Sequence, residues 1–307
     1  MFKSEKVTST TGAELRLYVA EIDDKKAKGI VQINHGMAEH GARYERFCAF
    51  LNANGYHAYV HDQRGHGHTK AANAHTGVFA KRDGWQKVLE DVAFVNAHIR
   101  DKHPDLPVVC FGHSMGSTIA LSYAQNYAET IDALAVWNGS ETGFAPAFLR
   151  QLLKVERMFK GSDVPSLLAR KLTFEDWNNK FKPNRTEFDW LSRDGTEVDK
   201  YVTDPLCGFP VSIGLWIDLL TALAQTANAD AIARIPTDLP INLQAGGDDP
   251  CSSNGMAATK LGDVLRKSGK TNVSSKVLAD TRHECLNEIN RDETMKSFTD
   301  WLDKNLK

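Results

Sequence analysis

The chain has 307 residues, 42% of them hydrophobic and 25% charged, with 37 basic against 39 acidic side chains and a formal net charge of −2. That length suits one large domain, or one domain carrying a sizeable insertion, and the composition excludes global disorder. The lack of a basic field argues against nucleic acid as a partner.

The chain opens Met1-Phe2-Lys3-Ser4-Glu5-Lys6. This stretch is charged and no apolar run follows it, so no signal peptide is expected. The longest apolar runs fall far short of a membrane span. Residues 13–20 alternate Leu15, Leu17 and Val19 with Glu14, Arg16 and Tyr18, the pattern of a half-buried strand after a turn at Thr11-Gly12. Ile30 to Asn34 is a short buried strand leading into His35-Gly36-Met37. A helix is predicted from about Tyr44 to Asn52, then a strand from His57 to His61, then a glycine-rich loop from Asp62 to Thr69. Trp85 to Ile99 reads as a helix with Val88, Leu89, Val92, Val95 and Ile99 on one side.

The apolar run Pro107 to Phe111 leads into Gly112-His113-Ser114-Met115-Gly116, and a helical pattern runs from Ser117 to Tyr127. Strand, tight glycine-flanked turn and helix are the parts of a nucleophile elbow, written G-x-S-x-G. The small neighbours give room to a strained, crowded backbone at the serine. Ile131 to Trp137 is another apolar strand. The alternation of short strands with helices to this point indicates an α/β protein with a mostly parallel sheet.

That rhythm stops after Trp137. From about Thr142 to Ile235 the pattern is helical, with Phe148, Leu152, Val155 and Phe159 at helical spacing, and likewise Trp216, Leu220 and Leu223. Residues 142–235 are therefore expected to form an inserted helical cap, or lid, on a core made of residues 1–141 and 236–307. The α/β rhythm resumes with a strand at Leu239–Ala245, a helix at Asn254–Lys267, a strand at Val273–Leu278 and a last helix at Asn290–Leu306.

A serine is a weak nucleophile unless a base, a carboxylate and an oxyanion hole support it. In such sheets functional groups gather at the carboxyl ends of the strands. Gly246-Gly247-Asp248-Asp249-Pro250 and Thr281-Arg282-His283-Glu284 follow two of the strands. The order serine, aspartate, histidine is the one this architecture uses. Ser114 is the expected nucleophile, His283 its general base and acid, and Asp249 the carboxylate that orients the imidazole. Asp248 competes for that last role, and either aspartate can instead cap a turn. Pro250 favours Asp249 by biasing it to an extended backbone. The backbone N–H groups of Met37 and Met115 are the expected oxyanion hole. His66-Gly67-His68 is too tightly spaced for a usual zinc pattern, so neither metal nor cofactor is expected. The five cysteines, Cys48, Cys110, Cys207, Cys251 and Cys285, are odd in number and scattered. They read as free thiols in a reducing, cytoplasmic setting.

The motifs His35-Gly36-Met37-Ala38-Glu39-His40, Arg43-Tyr44, His61-Asp62-Gln63-Arg64-Gly65-His66-Gly67, Gly112 to Gly116, Gly246 to Pro250 and His283-Glu284 together resemble the monoacylglycerol lipase/lysophospholipase branch of the α/β-hydrolases. The resemblance runs from about residue 10 to 305. It implies an eight-stranded, mostly parallel sheet flanked by helices, an inserted lid, no metal, and hydrolysis through an acyl-serine. One departure is His68-Thr69, where relatives often carry a polar residue followed by serine.

The expected activity is a serine hydrolase that cleaves carboxylic esters of a lipid-like small molecule, such as a monoacylglycerol or lysophospholipid. The apolar cap is a candidate for transient membrane contact. An aminopeptidase or amidase on the same triad is the alternative enzyme, and it would need acidic residues to bind an amino terminus. A non-catalytic ligand-binding protein on a hydrolase scaffold is the alternative of another class. Head group, chain length and oligomeric state are open.

Overall fold

The computed structural model describes residues 2–72 and 74–306. Its strands are β1 (Phe2–Thr8), β2 (Glu14–Ala20), β3 (Gly29–Asn34), β4 (Tyr56–His61), β5 (Val108–His113), β6 (Ala133–Trp137), β7 (Ile241–Gly246) and β8 (Val273–Leu278). They form one eight-stranded sheet in the order β1-β2-β4-β3-β5-β6-β7-β8. The β1–β2 and β2–β4 pairs are antiparallel, and every pair from β4 to β8 is parallel. This is the sheet of an α/β-hydrolase, as the motif resemblance implied.

The helices are α1 (Glu45–Ala53), α2 (Gly84–Lys102), α3 (Met115–Asn126), α4 (Phe144–Lys160), α5 (Leu167–Arg170), α6 (Asp176–Asn179), α7 (Gly195–Thr203), α8 (Ile213–Thr226), α9 (Ala229–Ala233), α10 (Met256–Lys267) and α11 (Arg291–Asn305). Among the core helices, α1 and α11 cover one face of the sheet, through Phe47, Leu51, Phe298 and Leu302. On the other face lie α2, α3 and α10, through Val88, Val92, Ile119, Tyr123 and Leu265.

The central strands are buried on both faces because both faces carry a helix layer. β5 has no exposed residue, and its Phe111 packs with Phe47, Trp137 and Phe298 at centroid separations of 5.0–5.6 Å. Truncating such a ring to alanine costs roughly 3–5 kcal/mol.

Phe2–Thr8 is a strand that apolar patterning does not announce, since Lys3, Glu5 and Lys6 interrupt it. It is an edge strand paired residue for residue with β2, from Phe2 against Ala20 to Thr8 against Glu14. An edge strand needs no continuous apolar face, and charge on it discourages pairing with other chains. One expectation is corrected in β2, whose strict alternation of buried and open positions ends at Leu17. Tyr18 through Ala20 are all buried. Phe2 stacks on Tyr18 at 5.4 Å and covers the face that alternation left to solvent.

All of α4 to α9 lies between β6 and β7. In α4 the apolar side chains occupy two faces. Leu149 and Leu153 are buried, whereas Phe144, Phe148, Val155, Met158 and Phe159 are exposed, Phe144 and Phe159 at 84%. The spacing of Phe148, Val155 and Phe159 marks a helix correctly, but Val155 and Phe159 face outward. In α8 Trp216, Leu220 and Leu223 face the core.

Candidate active site

The parallel strands β3, β5, β6, β7 and β8 all end at one edge of the sheet, and the candidate residues stand just beyond those ends. Ser114 sits between β5 and α3 with φ 56° and ψ −120°, a strained conformation for a residue with a side chain. Its N–H donates to Trp137 O at 2.9 Å, which pins the turn to β6. Two glycines make the turn possible. A Cβ on Gly112 would stand 1.9 Å from Gly116 O, and one on Gly116 would stand 2.0 Å from Asn34 O. α3 can therefore begin directly behind the serine and against the end of β3.

His283 lies in the loop after β8. Its Nε2 is 2.9 Å from Ser114 Oγ, and its Nδ1 is 3.0 Å from Asp249 Oδ1. Asp249, in the loop after β7, is wholly buried. Its Oδ1 also accepts from the Cys251 N–H at 3.0 Å, and its Oδ2 from Asn138 Nδ2 at 3.1 Å. Burial pushes this carboxyl up. His283, Asn138 and Ser252 outweigh burial and leave it below its ordinary 3.8, so it is ionised beside the imidazole. Asp248 points out to solvent instead, and its N–H donates to Thr281 O at 2.9 Å. The structure brings Ser114, Asp249 and His283 into one hydrogen-bonded line and leaves Asp248 outside it.

Met115 is the first residue of α3, so its N–H has no acceptor within the helix and points toward the serine end. Met37 follows β3 on the other side of the elbow. Ser114 and Met115 line a cleft of about 1430 Å³, open to solvent, between the core and helices α4 and α8. Its walls include Phe148, Leu149, Trp216, Leu219 and Leu220. On the opposite side Ser114 and Met37 line a smaller cleft of about 300 Å³ with Phe174, Trp190, Tyr201 and His283. The serine hydroxyl thus stands at the junction of a long apolar cleft and a short, more polar one. This arrangement can take a proton from Ser114 through His283, stabilise the resulting imidazolium with Asp249, and present backbone donors to a developing oxyanion.

Sequence spacing does not reveal a buried charged bridge behind the site. Arg43 Nη1 meets Glu39 Oε2 at 2.5 Å, and its two terminal nitrogens hold both Glu284 oxygens at 2.7 and 2.8 Å. Glu39 Oε1 in turn accepts the Gly36 N–H at 2.6 Å, one residue before Met37. Burial pushes Glu39 up, and the positive charges of Arg43 and His113 bring it well below its ordinary 4.5. The loop of Met37 and the loop of His283 are therefore clamped together through one guanidinium. Asn138 is the other unforeseen partner. The one available signal for it was its place directly after β6.

The segment 188–208 holds both loops from above. Ala38, at φ 54°, offers its carbonyl to Tyr201 Oη and to the Gly208 N–H, each at 2.9 Å. His40 Nε2 lies 2.9 Å from Asp204 Oδ2. The Glu284 N–H donates to Leu191 O at 2.7 Å, and the Trp190 ring lies 4.7 Å from the His283 ring.

His66 is buried, with Nδ1 against Arg64 O, and its ring packs on Phe79 and Phe209. Asp249, Cys251 and His283 bring ligand-type atoms within 4.8 Å of one another. Asp249 and His283 are already hydrogen-bonded to each other in the line to Ser114.

Comparison with known proteins follows the same geometry. Residues 25–290 match the family model described as serine aminopeptidase, S33. The chain is 27% identical over 270 residues to a monoglyceride lipase of Mus musculus, covering 86% of this chain and 81% of that one. It is 24% identical over 306 residues to a monoacylglycerol lipase of Mycolicibacterium smegmatis (strain ATCC 700084 / mc(2)155), covering 98% and 97%. A thermostable carboxyl esterase from Bacillus coagulans, solved in complex with glycerol, superimposes with a TM-score of 0.89 at 25% identity, covering 100% of this chain and 99% of that one.

Proposed function

Because the chain belongs to the serine aminopeptidase S33 family, we propose that it is a serine ester hydrolase acting on a monoacylated lipid through an acyl-serine. The observation that carries this reading is the position of Ser114 Oγ, 2.9 Å from His283 Nε2 and at the inner end of the apolar cleft under α4 and α8.

In this mechanism His283 takes the Ser114 proton as the hydroxyl attacks the ester carbonyl. Asp249 holds the imidazole with Nε2 toward the serine and stabilises its charged form. The Met37 and Met115 N–H groups receive the tetrahedral oxyanion. His283 then returns the proton to the leaving alcohol, which departs through the smaller cleft beside Tyr201, while the acyl chain lies in the larger one. Water repeats the cycle on the acyl-serine.

Residues 142–235 serve as the cap. Their α4 supports contact with a lipid surface: its exposed Phe144, Phe148, Val155, Met158 and Phe159 are accompanied by Arg150, Lys154, Arg157 and Lys160. An amphipathic, basic helix suits the headgroup boundary of an anionic membrane. No helix among the described residues is long and apolar enough to cross a bilayer. The five unpaired cysteines support a reducing, cytoplasmic setting.

The aminopeptidase alternative needs a free acid near the serine to hold an amino terminus. The acids lining the clefts are already committed: Glu141 to Lys260, and Glu39 and Glu284 to Arg43. A panel of monoacylglycerols, lysophospholipids, p-nitrophenyl esters and aminoacyl anilides, run beside Ser114→Ala, tests the assignment. Ester turnover that vanishes in the variant supports it. Preference for the anilides, or turnover that survives the substitution, refutes it.

A further inference from the structure

A second cleft of about 900 Å³ lies beside the acyl cleft, between α3, the end of α8, α9 and α10. Nothing in the mechanism above uses it. Its floor is apolar: Leu121, Val136, Leu223, Ile232 and Ala258 are buried, and Leu261 is half-buried. The charged residues in its lining are Glu141 and Lys260, and they are ion-paired with each other at the rim.

The two clefts are neighbours in the strict sense. Thr118, Ser140, Glu141, Thr142 and Leu223 line both, so one layer of side chains divides them. Thr118 stands one helical turn from Ser114 on α3. Ser117, beside it, abuts Gly139 in the lining of the second cleft, and a Cβ on Gly139 would stand only 2.7 Å from Ser117 Oγ. A side chain there would crowd this wall.

From this shared wall, and resting on the lipid-ester reading above, we infer that the second cleft is a distal acyl subsite. A long chain esterified to Ser114 runs through the first cleft, passes the threshold formed by Thr118 and Leu223, and lays its terminal methylenes on Leu121, Ile232 and Leu261. The occupant is an unbranched, uncharged hydrocarbon. A polar head group finds no unpaired charge in the lining, since Glu141 and Lys260 are paired with each other. The subsite therefore sets the upper end of the chain-length preference, where each added methylene that leaves water is worth about fourfold in transition-state binding.

The test is the ratio of kcat/KM for palmitoyl over octanoyl monoacylglycerol. Ala257→Trp fills the second cleft from its half-exposed rim on α10, and Leu223→Ala opens the threshold. The expected result is a fall in the ratio of about tenfold or more for Ala257→Trp, the loss of a few methylenes' contacts, and a rise for Leu223→Ala. Melting curves confirm that each variant is folded, and Leu261→Trp replaces any that is not. A ratio within about twofold of wild type in a folded filled-cleft variant overturns the subsite while leaving the ester-hydrolase reading intact. A wild-type enzyme that cleaves neither ester overturns that reading instead.

Discussion

Asp249 and His283 meet at 3.0 Å between Oδ1 and Nδ1, with the aspartate wholly shielded from water. A buried carboxylate in that position decides which imidazole nitrogen carries the proton. Asp249→Asn keeps the shape and reverses the hydrogen-bond preference. Its kcat should fall by roughly 10³–10⁴-fold with KM little changed. Asp248→Asn, altering a side chain that faces solvent, should stay within about twofold of wild type. Steady-state kinetics on a p-nitrophenyl ester measure both, and equal losses in the two variants would contradict the assignment.

The bridge from Glu39 through Arg43 to Glu284 should appear in the pH dependence of stability. The Glu39 carboxyl lies well below its ordinary 4.5 because Arg43 and His113 more than offset its burial. A depressed folded-state value means that the unfolded chain takes up this proton first as pH falls. The stability Glu39 contributes is complete above 4.5 and drains away as the solution is acidified toward its folded-state value. Glu39→Gln lacks that term, so the gap between wild-type and variant stability should shrink below pH 4.5. Urea melts at a series of pH values give the two curves. A constant gap would mean that the charge of Glu39 contributes nothing.

Gly116→Ala should fail to give stable protein. The added methyl would stand 2.0 Å from Asn34 O, a backbone atom in the sheet, so neither side has a flexible end to move. A destabilisation above about 3 kcal/mol is expected, at the upper end of overpacking costs. The thermal transition of the purified variant is the readout, and a wild-type melting temperature would show that α3 can shift away from β3.

The outward stripe of α4 makes a prediction about surfaces. Val155, Met158 and Phe159 are exposed and do not line the acyl cleft. Replacing all three with serine should lower partitioning onto anionic vesicles by about tenfold or more, since little else is lost when they leave the bilayer boundary. Hydrolysis of a water-soluble short ester should be unaffected. Co-sedimentation with vesicles measures the first, and unchanged partitioning in the triple variant would rule out this face as the contact.

The positions that could be read from the chain were those whose cause is local. The elbow announces itself because Gly112, Ser114 and Gly116 are required within five consecutive residues by one steric problem. The central strands announce themselves because burial on both faces leaves nearly unbroken apolar runs. What escaped depends on the assembled fold. β1 is charged because it needs only a partner's backbone. The outward stripe on α4 has the same periodicity as an inward one, since spacing fixes a helix but not the direction it faces. Arg43 and Glu284 are 241 positions apart and carry no mutual signature. Asp248 and Asp249 are neighbours that Pro250 ranks in favour of Asp249, and the loop after β8 sets His283 against that one.

The carbonyl of Ala38, held by Tyr201 and Gly208, has a consequence for how such proteins diversify. Tyr201 and Gly208 arrive more than 160 positions after the loop they steady, from the same stretch between β6 and β7 whose α4 and α8 wall the larger cleft. That stretch is therefore not an interchangeable module. A chimaera given a relative's lid would acquire new walls for its substrate, yet could lose the two donors that hold the Met37 amide in place. Inheritance of a new specificity would then require the graft to bring its own anchors for Ala38, or the recipient to replace a lost grip elsewhere on that loop.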